Sequence, residues 1–198
     1  MNRTPSTAYE RIQSIIEGRW AAARRAKQTP EYQQLVHLIE SDRYLVLGAK
    51  AMAAYVRQRF VESTEYLVGH RAFGRIRKWL ADAGVPFDDE GEAIRVEQLG
   101  IDVIDAANNP VLKEMLNRET GVPSVEALAA SKYVAIVSGT RGAQRVHFDI
   151  GDFIGLVCLD SFDVGKFLGC LVDRYAEQRS HASEIIARIR RGDAPITF

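Results

Sequence analysis

The chain is poor in several residue types whose abundance would have pointed to a function class. Among 198 residues there are only two cysteines, four histidines and six prolines. A pair of cysteines cannot staple a small disulfide scaffold. Cys158 and Cys170 sit in apolar stretches (GLVCLD and LGCLVD) with no second ligand pair nearby, so they read as buried thiols rather than a bridge or a zinc site. His37, His70, His147 and His181 are scattered without metal-ligand spacing. Net charge is also lacking: 26 Lys and Arg balance 26 Asp and Glu. That balance excludes bulk nucleic-acid binding, which needs many cations gathered on one face. No apolar run approaches the roughly 18–20 residues of a membrane helix, and MNRTPSTAYERIQ lacks the apolar core of a secretory signal. The expected location is the cytoplasm, with no membrane partner.

What is present is a globular composition, 46% hydrophobic and 26% charged. This suits one domain with helical additions. Three stretches divide the chain. Residues 1–42 read as a helical hairpin: Tyr9, Ile12, Ile15, Ile16, Trp20 and Ala23 recur at helical spacing, and Thr29-Pro30 restarts a helix bearing Leu35, Val36 and Ile39. Residues 43–110 alternate strand and helix. Tyr44-Leu-Val-Leu-Gly48 is a short apolar run ending in a turn, and a helix over 49–58 follows it. Ser-Thr-Glu-Tyr-Leu-Val68 is a second strand, followed by an amphipathic helix with Phe73, Ile76, Trp79 and Leu80 on one side. A turn and strand over 87–98 and the strand Ile101-Asp-Val-Ile-Asp105 complete a mixed α/β core, an α+β arrangement.

Residues 111–198 return to helix, with candidates over 111–116, 124–137, 149–159 and 164–189 and N-caps at Ser124 and Asp163. In this reading Asp149 and Asp152 occupy a first helical turn, where carboxylates suit the helix dipole. The last candidate carries an apolar stripe of Phe167, Leu168, Leu171, Val172, Tyr175, Ile185, Ile186 and Ile189. Such a stripe is either internal core or a surface for a homodimer or another protein.

One arrangement carries chemistry. Gly48 ends a strand, Arg59 follows eleven residues later, and Ser63 and Glu65 come next, two apart on a strand and so on one face. Carboxylates at that spacing can hold a divalent cation, and a glycine turn can present backbone N–H groups to phosphate.

Here the stretch VLGAKAMAAYVRQRFVESTEYLV resembles the nucleotidyltransferase superfamily, in particular the small bacterial branch of abortive-infection toxins and minimal nucleotidyltransferases. That family has a Gly-Gly or Gly-Ser turn, a helix, and then an Arg-x-Thr-x-Asp-x-Asp strand. The resemblance sets Gly48 and Ala49 at the turn, Arg59 at the arginine, Val61 at the threonine, and Ser63 and Glu65 at the two metal-binding aspartates. LGIDVIDA resembles the strand with the third carboxylate, Asp102 being the better candidate and Asp105 the second; three apart on a strand, they face opposite ways. ASKYVAIVSGTRGAQRVHFDIGDFIGL resembles the helical stretch beside the site, with Lys132, Arg141, Arg145, Asp149 and Asp152 in comparable places.

The resemblance implies Mg²⁺ held by Glu65 and Asp102, with Ser63 as a weak ligand. It implies an NTP as substrate or ligand, its phosphates met by Gly48, Ala49, Arg59, Lys132 and Arg141. Ser63 departs from the family pattern. Its neutral hydroxyl forfeits several kcal/mol of attraction to Mg²⁺ at an effective dielectric near 20. The expectation is therefore a catalytically impaired nucleotidyltransferase-like protein that keeps nucleotide binding. The alternatives are an active Mg²⁺-dependent enzyme passing NMP to RNA, protein or a small acceptor, and a protein-interaction module without nucleotide. The acceptor and any antitoxin partner are not legible.

Overall fold

The computed structural model describes residues 21–22, 24–56, 63–139, 142–193 and 198. Of the expected N-terminal hairpin, the stretch from Tyr9 to Trp20 lies outside the described residues, and the second helix, α1 (Pro30–Glu40), is formed. Thr29 caps it by accepting from the Tyr32 N–H, and Pro30 fills its first turn.

Five strands form one mixed sheet: β1 (Tyr44–Leu47), β2 (Thr64–Val68), β3 (Asp88–Asp89), β4 (Ala93–Val96) and β5 (Ile101–Asp105), in spatial order β1-β2-β5-β4-β3. Only β2 and β5 run parallel; β1 pairs antiparallel to β2, and β4 antiparallel to β5 and β3. The parallel pair needs a crossover, supplied by α3 (His70–Asp82) together with the β3–β4 hairpin. The helix α2 is a short one (Gly48–Met52) leading out of β1.

Alternation sorts the side chains of the sheet onto two faces. One carries Val46, Tyr66, Val68, Ile94, Val96, Ile101 and Val103, packed with Leu35 and Ile39 of α1 and Phe73, Ile76 and Leu80 of α3. The other carries Leu45, Leu47 and Leu67, covered by Met115 and Leu116 of α4 (Pro110–Arg118) and Ala127 of α5 (Val125–Val137). The β1 edge is closed by Gly121, whose carbonyl accepts from the Val46 N–H at 2.7 Å and whose N–H donates to the Tyr44 carbonyl at 2.9 Å.

The remaining helices are α6 (Ala143–Val157), α7 (Val164–Cys170) and α8 (Gln178–Arg191). They enclose an aromatic cluster of Tyr133, Phe153, Phe162 and Phe167, with centroids 5.7–6.1 Å apart among its neighbouring pairs. Buried residues from Leu35 through the sheet to Ile189 belong to one core, so the three stretches share it.

Four expectations need correction. Helix α6 starts at Ala143 after Gly142, so Asp149 lies mid-helix and not in a first turn. The expected helix over 164–189 is two helices. Leu171 and Val172 leave the helical region, and Asp173–Tyr175 form a single 3-10 turn before α8. The apolar stripe ran through this break because both pieces pack into the same core: Phe167, Leu171, Ile185, Ile186 and Ile189 are all buried. Helix α2 ends at Met52 rather than running to 58, with Ala53 as its C-cap. Cys158, finally, is exposed at the C-cap of α6, where its apolar neighbours Leu156 and Val157 are the buried ones.

Candidate functional site

Strand register sets four side chains in a row. Leu47 faces Glu65, Glu65 faces Asp102, and Asp102 faces Arg95. Cross-strand partners share a sheet face, and adjacent strands are about 4.8 Å apart. Glu65 and Asp102 therefore project side by side from the start of the parallel pair, on the face that carries Leu67 one step further along. Asp105 points to the opposite face. Its carboxylate receives His70 Nδ1 at 2.6 Å and the Ala107 N–H at 2.9 Å, and it is 5% exposed. Of the two candidates for a third carboxylate, Asp102 is the one beside Glu65.

Each carboxylate of the row meets the protein itself. Ser63, just before β2, donates its hydroxyl to Asp102 Oδ2 at 2.7 Å. Asp102 Oδ1, buried and without a hydrogen-bond donor, faces Arg95 Nε at 3.5 Å. Arg95 also reaches Glu90 Oε1 at 3.6 Å, so its guanidinium lies between two acids.

Glu65 turns to the glycine corner. Gly48 has φ +60°, a left-handed conformation that a Cβ disfavours, and it opens α2 directly after the extended Leu47. A Cβ on Gly48 would lie 2.7 Å from Glu65 Cδ and Oε2 and 2.9 Å from Oε1. Glycine is required here twice over, by its dihedral and because the Glu65 carboxylate occupies the space. Ala49 follows in α2 with its side chain half-buried.

The structure thus brings together Gly48, Ser63, Glu65 and Asp102. Arg59 and Arg141 lie outside the described residues. Lys132 is buried on α5, its ammonium held by Asp149 Oδ1 at 2.7 Å and Asp152 Oδ2 at 2.8 Å, both from α6. Three charges at these distances form a buried network between two helices. Arg145 and His147 are exposed on α6. The residue missed by sequence reading is Arg95. Its signal was the alternation Ile94-Arg95-Val96, which exposes Arg95 on the face opposite its two buried neighbours.

As arranged, the donor set does not fit a two-cation centre. Such a centre needs several ionised oxygens free to converge on the metals. Here Asp102 is engaged by a hydroxyl and a guanidinium, and Glu65 leans over Gly48. Among the described residues, no group of three or more His, Cys, Asp or Glu side chains is gathered to hold a metal ion. No helix among them is long and apolar enough to cross a membrane. No protein-family model matches the chain, and neither does any curated protein.

Proposed function

We propose that the chain is a nucleotidyltransferase-like protein in which nucleotidyl transfer is impaired, and that any residual nucleotide binding proceeds without Mg²⁺. The observation that carries this reading is the register pair Glu65–Asp102 beside the Gly48 corner, the position of an acidic cation seat in that superfamily. Supporting it is the order of elements: glycine corner, short helix, acidic strand, helix, then a parallel acidic strand followed by helices. In the helical part of the resemblance, the Lys132 ammonium is taken up by Asp149 and Asp152 rather than presented to a phosphate.

Impairment follows from charge. Phosphoryl chemistry is catalysed mainly by positioning and by neutralising charge on the transferring group. Ser63 contributes no negative charge to a cation, and Asp102 has its own charge offset by Arg95.

Thermal-shift titration with ATP and GTP tests the reading. The expected result is that any stabilisation has the same size in Mg²⁺ and in EDTA. A larger shift in Mg²⁺, lost in Glu65→Ala, would refute it. No shift with either nucleotide, together with a dimeric mass in solution, would favour the interaction-module reading.

A further inference from the structure

The structure assigns Arg95 a role at the acidic pair: it is an internal counter-cation that occupies the electrostatic place of a divalent metal ion. The inference rests on the reading above only for the origin of the pair; the electrostatic claim stands on this geometry alone.

Three observations converge. Arg95 is the direct cross-strand partner of Asp102 on β4, so its position is set by sheet register and not by a wandering surface side chain. Its Nε lies 3.5 Å from Asp102 Oδ1, an oxygen that is buried and receives no hydrogen bond, and the guanidinium supplies that oxygen's nearest positive charge among the contacts of this row. The other oxygen of the same carboxylate accepts from Ser63. Both lone-pair faces that a metal would use are thus directed at groups of the chain. Glu90 Oε1 also lies 3.6 Å from the Arg95 guanidinium.

The two functions exclude each other by charge. A cation bound at Asp102 would sit within a few ångströms of a permanent positive charge, and at about 5 Å the repulsion between a divalent ion and a guanidinium is worth more than about tenfold in affinity even at an effective dielectric of about 80. The Arg95 side chain is 42% exposed, so removing it leaves no buried void.

Mn²⁺ titration followed by water-proton relaxation, on the full chain, tests this. Wild type and Arg95→Lys, which keeps the charge, are expected to show only weak, unsaturable uptake. Arg95→Ala is expected to gain a saturable site, roughly tenfold to a hundredfold tighter than any in wild type, and Arg95→Ala/Glu65→Gln to lose it. If Arg95→Ala binds Mn²⁺ no better than wild type while its circular dichroism and melting are unchanged, Arg95 is not the counter-cation. A gain that survives in the double variant also overturns the inference, because it places the new site elsewhere. In either case the nucleotide titrations are untouched, so the two readings fail separately. Tight Mn²⁺ binding by wild type that Glu65→Gln abolishes would overturn both.

Discussion

Replacing Gly48 by alanine probes the corner at which sequence, backbone and site meet. Two costs arise. At φ +60° a non-glycine residue in the left-handed region loses about 1–2 kcal/mol. The new methyl would also lie 2.7 Å from Glu65 Cδ, so the Glu65 side chain must leave its rotamer, at about 1 kcal/mol. The sum is about 2–3 kcal/mol, or roughly 5–10 °C in Tm for a chain of this size. The second part depends on Glu65 and the first does not. A double-mutant cycle with Glu65→Ala, followed by urea unfolding, is expected to show a coupling of about 1 kcal/mol, above the roughly 0.3–0.5 kcal/mol scatter of independent sites. If Gly48→Ala costs the same in both backgrounds, the Glu65 carboxylate does not lie over Gly48 and the described corner is wrong.

Further outcomes follow from the same structure. Lys132→Met removes the ammonium shared by Asp149 and Asp152 inside the protein, and urea unfolding should report a loss of about 3–5 kcal/mol; a neutral result would show the network to be solvated. Burial pushes the Tyr133 phenol up to about 12 from its ordinary 10.0, so the folded state holds that proton more tightly. Its contribution to stability is complete below pH 10 and is lost as pH rises from 10 towards 12. Tyr133→Phe should therefore flatten the fall of the urea midpoint across that window, while Tyr66, shifted upward by the same cause, retains part of the slope; an unchanged slope would contradict the assignment. Cys158 is exposed, whereas Cys170 is half-buried with its thiol pushed up by burial and by Glu119. A chromogenic disulfide reagent should titrate one thiol quickly and the second only in denaturant; two fast thiols would place Cys170 at the surface.

The parts legible in the sequence were those where local pattern and tertiary packing agree. Strand β5 occupies the expected Ile101–Asp105 because Ile101 and Val103 alternate with Asp102 and Ile104 on its two faces, and Ser124 and Asp163 cap α5 and α7 as their side chains suggested. Pattern misled where a three-dimensional contact decides. The stripe from Phe167 to Ile189 keeps helical spacing across a break because both pieces pack into one core, and at the break the Leu171 carbonyl accepts from the Arg179 guanidinium at 2.6 Å.

At the site, strand spacing set Ser63 and Glu65 on one face, and the resemblance set Asp102 beside them; the register places Asp102 opposite Glu65, with the Ser63 hydroxyl on its carboxylate. Arg95 was not foreseen. Its meeting with Asp102 depends on β4 returning antiparallel to β5, and nothing in a single sequence specifies that register. The occupation of the Gly48 corner by Glu65 was hidden for the same reason: Gly48 follows β1 and Glu65 lies on β2, and only the β1–β2 pairing of Leu47 with Glu65 brings them together.

The most direct measurement of the central claim is transfer itself: incubation of the full chain with α-labelled NTPs, Mg²⁺ or Mn²⁺, and RNA, protein and small-molecule acceptors. With Asp102 engaged by the Ser63 hydroxyl and the Arg95 guanidinium, no incorporated label is expected above that of Glu65→Ala. Metal-dependent incorporation by wild type that Glu65→Ala abolishes would contradict it.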